Sequence, residues 1–252
     1  MSNKTILTLS AAVAALALAQ EAKAQTNIQV FYDFGSDRQQ VTTTVEGFYT
    51  DNWGNTFFFV DHDFNHKANE GVKAITGTYV ELARCFNFWQ NVPVLGGLSL
   101  QAEYNGGVYK QYFINHSVLA GLDYFFHSAD YRNTLNLKVL YKKVFGAKQD
   151  VPMQFTAVWG LQDLFGLKGL RFSGFADFWW EDHTLFTDHK GALSTPMVSH
   201  VVFISEPQLW YNVGQWFGVP QLNIGGEVEL SFDFGSALGF WARPCAGIKW
   251  VF

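Results

Sequence analysis

The final stretch, Phe240 to Phe252, constrains this chain more than any other. Every second residue back from the end is apolar: Phe252, Trp250, Ile248, Ala246, Pro244, Ala242 and Phe240. The intervening set, Val251 apart, holds Lys249, Gly247, Cys245, Arg243 and Trp241. A period of two marks a β-strand with one apolar and one more polar face. The pattern recurs upstream. Leu135, Leu137, Val139 and Tyr141 alternate with Asn136, Lys138, Leu140 and Lys142. Leu222, Ile224, Gly226, Val228, Leu230 and Phe232 alternate with Asn223, Gly225, Glu227, Glu229, Ser231 and Asp233. Twelve such segments are read near 27–36, 40–50, 55–64, 73–87, 97–106, 114–127, 133–144, 152–163, 168–181, 199–212, 220–234 and 239–252. Their length, about nine to fourteen residues, is what a tilted strand needs to cross a bilayer.

The beginning of the chain reads as an export signal over residues 1–24. Lys4 supplies a positive start, Ile6 to Ala19 is an apolar run, and Ala22-Lys23-Ala24 is a small-residue exit. The alternative, a buried helix, does not account for the basic start together with the short length and the Ala-x-Ala site. The expected mature chain starts at Gln25, with residues 25–252 forming one domain. No Cys follows the exit, so no lipoprotein anchor is expected. No later apolar run is long enough for a membrane helix, so any span must use strands.

Composition fits such a barrel. The chain holds 25 Phe, 9 Trp and 10 Tyr, yet mean hydropathy is +0.01, because polar residues are interleaved rather than segregated. Removing Lys4, Lys23 and Glu21 with the leader takes the formal charge from −5 to −6. The scattered Lys and Arg do not suggest a nucleic-acid partner. Cys85 and Cys245 sit on strands far apart in order and are read as unpaired. A soluble sandwich would alternate too, but it has little use for so many aromatics near strand ends. Phe88, Trp89, Trp159, Phe165, Trp210, Tyr211, Trp216 and Trp250 fall there, where an aromatic girdle would meet lipid headgroups. Closing the sheet removes edges that lipid would leave unsatisfied. The fold expected is an all-β, transmembrane, antiparallel up-and-down barrel of about twelve strands. An even strand count puts both termini on the periplasmic side. Short turns at 51–55 and 127–132 are then periplasmic, and the longest connection, 182–198, is external.

Three stretches carry a family resemblance. Glu46-Gly47-Phe48-Tyr49-Thr50-Asp51-Asn52-Trp53-Gly54-Asn55-Thr56-Phe57-Phe58-Phe59-Val60-Asp61 resembles a strand-turn-strand of the Tsx-like nucleoside channels of the bacterial outer membrane. Leu164 to Trp179, with Gly174-Phe175 before Ala176-Asp177 and Phe178-Trp179, is similar to a late strand of that superfamily. The last strand, ending on Phe252, resembles the closing strand of outer-membrane barrels, whose terminal aromatic is read by the barrel-assembly machinery. The superfamily's acid-Pro-Arg motif has only a loose counterpart in Glu81-Leu82-Ala83-Arg84, and alternation puts Glu81 and Arg84 on opposite faces. The resemblance implies an outer-membrane lipid setting and a passive channel for nucleosides or similar small polar solutes, with no cofactor.

With the polar face inward, the candidate solute-binding residues are Glu46, Phe48, Phe57, Phe59, Asp61, Arg171, Asp177, Trp179, Glu227, Glu229 and Arg243. Glu103, Asp123, Lys138, Glu206 and Lys249 share that face. Carboxylates and guanidinium groups can bond sugar hydroxyls and base edges, and aromatic faces can stack on bases. Phe57, Phe59 and Asp61, with Asp177 and Trp179, are expected to line one constriction. Two other functions fit such a chain, an outer-membrane hydrolase and a structural or adhesive barrel with a closed lumen. Asp61-His62 cannot form a dyad, because neighbours on a strand face opposite ways. Asp182-His183 and Asp188-His189 could bind a metal in the external loop, although solvated side chains are the ordinary outcome there. His116 and Ser117 alternate faces and do not supply a lipase site.

Overall fold

The computed structural model describes residues 24–65, 74–110 and 113–252. The expected leader and its Lys4 therefore lie outside the described residues, apart from Ala24 at its exit. The strands follow the alternating segments. They are β1 (Ala24–Asp33), β2 (Gln40–Asp51), β3 (Gly54–Asn65), β4 (Gly77–Phe86), β5 (Leu98–Tyr109) and β6 (Phe113–His127). They continue with β7 (Asn133–Val144), β8 (Met153–Gln162), β9 (Leu170–Asp188), β10 (Gly191–Ser205), β11 (Gln208–Tyr211), β12 (Leu222–Phe232) and β13 (Phe240–Val251). No helix among the described residues is long and apolar enough to cross a membrane.

Apart from β10 and β11, which do not pair with each other, each strand pairs antiparallel with its neighbour in sequence, and β13 pairs with both β12 and β1. Asn27 stands opposite Val251 and Asp33 opposite Cys245, so the sheet closes on itself. β10 and β11 occupy one place in the wall, both between β9 and β12, which makes a closed barrel of twelve strands. The break between them is Glu206-Pro207. Proline has no N–H for the ladder, and Gly174 across from it makes room. Gly174 has φ of 153°, and a Cβ there would lie 2.4 Å from the Glu206 carbonyl oxygen.

Burial runs opposite to that of a water-soluble protein. Gln29 is 1% exposed, whereas its neighbour Ile28 is 38% exposed. The same inversion holds on β7, where Leu137, Val139 and Tyr141 stand exposed and Lys142 is buried. An apolar band of this extent is satisfied only by lipid. Inside, Trp179, Val202 and Ile204 form a small apolar cluster with Phe175 and Phe234.

Two sequence-based expectations are corrected. The segment 182–198 is not a loop: β9 and β10 continue as a hairpin, turning at His189-Lys190. Beyond Trp179, the last residue of β9 matched with β8, its run of Asp, His and Thr loses the one-sided pattern and reads as a loop. Nor do connection lengths separate by end. Residues 87–97 and 212–221 are long connections at the end holding both termini, while 34–39 and 233–239 at the other end are short. Connection length therefore does not orient the barrel. Cys85 and Cys245 are both free.

Candidate functional site in the barrel lumen

Cross-strand partners share a face, so the register assigns every inward side chain. Glu46 lies opposite Phe59, Phe48 opposite Phe57, and Asp61 opposite Thr44 and Tyr79. Arg171 lies opposite Gln162 and Trp210, Asp177 opposite Thr156, and Trp179 opposite Gln154. Glu227 lies opposite Cys245 and Glu229 opposite Arg243. All eleven candidates share the inward face with buried polar side chains such as Gln29, Gln101 and Asp123. They do not form one site.

The first group is aromatic. Phe57 and Phe59 have ring centroids 5.9 Å apart, and Phe59 is 5.6 Å from Tyr79 on β4. Next to this ladder the Asp61 carboxylate accepts a 2.5 Å hydrogen bond from Thr44 Oγ1. Tyr79 was not among the sequence candidates, although its parity with Glu81 would have found it. Asp61 is within electrostatic reach of Glu227 and Glu206. Between β3 and β12 the wall holds β2, β1 and β13, so these carboxylates approach across the lumen.

The second group is of mixed charge. Asp177 accepts from Thr156 Oγ1 and lies within reach of Lys138 and Lys142. Glu81 and Glu103 face the same lysines. Asp61 and Asp177 thus have different hydrogen-bond partners, while Tyr79, opposite Asp61, lies within reach of Asp177. Trp179 is engaged with the protein itself. It is 8% exposed, Lys142 Nζ lies 3.8 Å over its ring, and its Nε1 donates to Glu181 at 2.9 Å. With a cation already on one face, it offers no open stacking surface. Trp210, expected in the girdle, also points inward. It shares parity with Gln208, donates to its Oε1 at 2.9 Å, and carries Lys249 Nζ 4.3 Å over the ring.

The third group lies at the mouth away from the termini. Arg243 donates through Nη1 to Glu229 at 2.5 Å and through Nη2 to Asp37 at 2.8 Å. Arg38 reaches Glu229 at 2.7 Å and Asp33 at 3.5 Å. Asp37 and Arg38 belong to the 34–39 connection, so this loop is tied onto the inner wall. Burial works against ionisation of Asp37, but the Arg243 hydrogen bond and charge outweigh it and hold its carboxyl below the usual value. No pattern in the sequence announced this contact, because it joins residues far apart in the chain. Glu229 and Arg243 are thus held by the protein. Among the described residues, Glu81, Lys138, Arg171 and Glu206 make no side-chain hydrogen bond or ion pair and are half-buried.

The Asp-His pairs do not assemble as dyads. His62 meets Thr78 Oγ1 at 3.0 Å, away from Asp61. His183 turns to the Asp233 carbonyl and His189 to that of Phe240. Asp182 instead meets His200 at 2.6 Å, and with Asp150 they place three potential metal-ligand atoms within 4.8 Å of one another. Lys148 already pairs with Asp150 and holds its carboxyl below the usual value.

Comparison with known proteins places the fold. Residues 24–252 match the family described as "Domain of unknown function (DUF5020)". The chain belongs to that family. No curated protein sequence matches it. Among solved structures, the NanC porin superposes with a TM-score of 0.52 at 9% identity, covering 89% of this chain and 97% of that one. The KdgM porin gives 0.48 at 9% identity, covering 90% and 99%. Pseudomonas aeruginosa OccK2 (OpdF), solved in complex with glucuronate, gives 0.38 at 11% identity over 92% and 98%. The likeness to NanC is one of barrel architecture.

Proposed function

We infer that this chain is an outer-membrane passive diffusion channel for small polar solutes. The observation that carries the reading is the inward face of the closed barrel. Among the described residues, half-buried charged side chains stand there without a hydrogen bond or ion pair, while the outer face carries an apolar band. Export through a cleaved leader and insertion by the barrel-assembly machinery belong to the same reading. Its test is solute-driven swelling of liposomes holding the refolded chain, together with planar-bilayer conductance. Ribose-sized neutral solutes should enter faster than they enter empty vesicles. Equal rates with the folded protein inserted would favour a closed structural barrel.

Within that class, nucleosides are the proposed solutes. The Tsx-like resemblance at 46–61 and 164–179 supports this, as does the ladder of Phe57, Phe59 and Tyr79 beside Asp61. A base would stack on a ring while the carboxylate accepts from a sugar hydroxyl, stacking being worth about 1–3 kcal/mol per base. Phe59→Ala should therefore weaken nucleoside block of single-channel current by roughly tenfold, and Trp179→Ala should not. Absence of block in the wild-type channel at millimolar nucleoside would return the solute to unknown and leave the channel reading intact.

A further inference from the structure

The connection 233–239 does not stay above the two strands it joins. In the wall β10 stands between β9 and β12, yet this connection is bonded to β9. The Phe186 and Thr187 amides donate to the Ser236 carbonyl at 2.8 and 3.2 Å, and the Leu238 amide donates to the Thr187 carbonyl at 2.8 Å. Thr187 and Ala237 form a parallel bridge. Side chains fix the route. Phe234 meets the Trp179 ring edge-on at 6.4 Å and packs on Val202 and Ile204, which are inward residues. Ala237 is 4% exposed and Leu185 on the hairpin 1%. The connection therefore crosses the inner face of β10 and lies as a strap inside the mouth.

One titratable ring ties the strap to the wall. His183 places Nδ1 3.0 Å from the Glu181 carbonyl oxygen and Nε2 2.5 Å from that of Asp233, where the strap begins. A carbonyl only accepts. A neutral imidazole has one N–H and an imidazolium has two, so both contacts are hydrogen bonds only in the protonated ring. The charged groups around it are engaged elsewhere. On β9, Glu181 accepts from Trp179 and Asn115, and Asp182 pairs with His200 of β10. On the strap, the Asp233 carboxylate accepts from Ser199 Oγ and the Gly239 amide. From the neighbouring elements, Lys142 lies over Trp179, Arg243 lies over Trp241, and Lys148 pairs with Asp150. We propose that residues 233–239 form a pH-sensitive strap inside the mouth, seated by His183 and held more tightly when that ring takes up a proton. The effect on current rests on the channel reading, and the seating itself does not.

The test is hydrogen exchange at the Phe186, Thr187 and Leu238 amides of the whole mature chain in micelles, corrected for the intrinsic pH dependence of exchange. Protection should be about fivefold greater at pH 5.5 than at pH 8, the worth of one hydrogen bond. His183→Gln should show equal protection at both, whereas His200→Gln should keep the contrast. In planar bilayers the wild-type current should dwell longer in its lower level at pH 5.5. Equal protection at the two pH values in the wild type, or a contrast that persists in His183→Gln, overturns the proposal. Where that variant does not fold, nitrogen NMR of the wild-type ring replaces it. Two protonated ring nitrogens at pH 5.5 and one at pH 8 are expected, and proton loss that leaves protection unchanged overturns the latch. A protection contrast in a barrel that does not conduct removes the channel reading and leaves the strap standing.

Discussion

Glu227 and Glu229 are two residues apart, share a face and carry the same charge, yet they do different things. Glu229 accepts from Arg243, Ser231 and Arg38 and is shut from solvent, whereas Glu227 faces other acids across the lumen. Removing one partner from a buried ion pair leaves an uncompensated charge, at a cost of about 3–5 kcal/mol. Glu229→Ala should therefore lower the unfolding free energy in detergent by that order. Glu206→Gln, with no hydrogen bond to lose, should stay within about 0.5 kcal/mol. Urea titration of both variants checks the contrast, and equal losses would mean that the mouth network does not hold the barrel. Asp37 makes a related prediction. Its folded-state carboxyl titrates below the ordinary value, so its contribution is complete above the ordinary carboxylate range and is lost as pH falls through the depressed one. The loop 34–39 should stay seated from neutral pH down to about pH 4 and release below it. Current fluctuations measured against pH should show this, and Asp37→Asn should show the acid behaviour already at neutral pH.

At the scale of elements, alternation decides which substitutions matter. Leu137 and Lys138 are adjacent on β7, one exposed toward lipid and one turned to the lumen. An arginine at Leu137 should cost about 2–4 kcal/mol if it lies near the bilayer midplane. Lys138→Gln should alter conductance and leave folding unchanged. Equal folding defects would mean that the facing is wrong. The break at Glu206-Pro207 shows a different kind of constraint. Gly174 holds a backbone conformation that side chains rarely adopt, and any Cβ there collides with the opposing carbonyl. Gly174→Val should destabilise by more than about 1 kcal/mol, read from the midpoint of heat-induced loss of the compact gel band. The break also keeps β11 in line with β10, so that Gln208 and Trp210 continue the inward face. Nearness to a strand end does not report facing, which is why Trp210 was misplaced in the girdle while parity with Gln208 would have placed it.

For the whole molecule, closure depends on the last strand. β13 supplies the partners of both β12 and β1, so removing residues 240–252 would leave two unpaired edges that lipid cannot satisfy. Such a chain should fail to insert into vesicles and should remain protease-sensitive. Survival of a protected core would show that closure is not required. Strand number, neighbour order and facing were legible in the sequence because they are local. A side chain's face follows from a period of two, and an antiparallel partner is the next segment along. The same locality put all eleven candidate lumen residues on the inward face by counting alone. It could not say which of them meet. That depends on what lies across the lumen, and residues such as Asp61 and Glu227, or Asp37 and Arg243, are remote in the chain. Hence the inward residues sort by their partners into an aromatic ladder beside Asp61, a lysine-carboxylate wall and a charged network at one mouth, and Trp179 makes a cation–π contact. The sequence by itself determined a closed barrel with a polar interior, since only that shape satisfies alternating strands in lipid. The tertiary structure alone decided which interior charges pair with one another, because that is set by distances between strands remote in the chain.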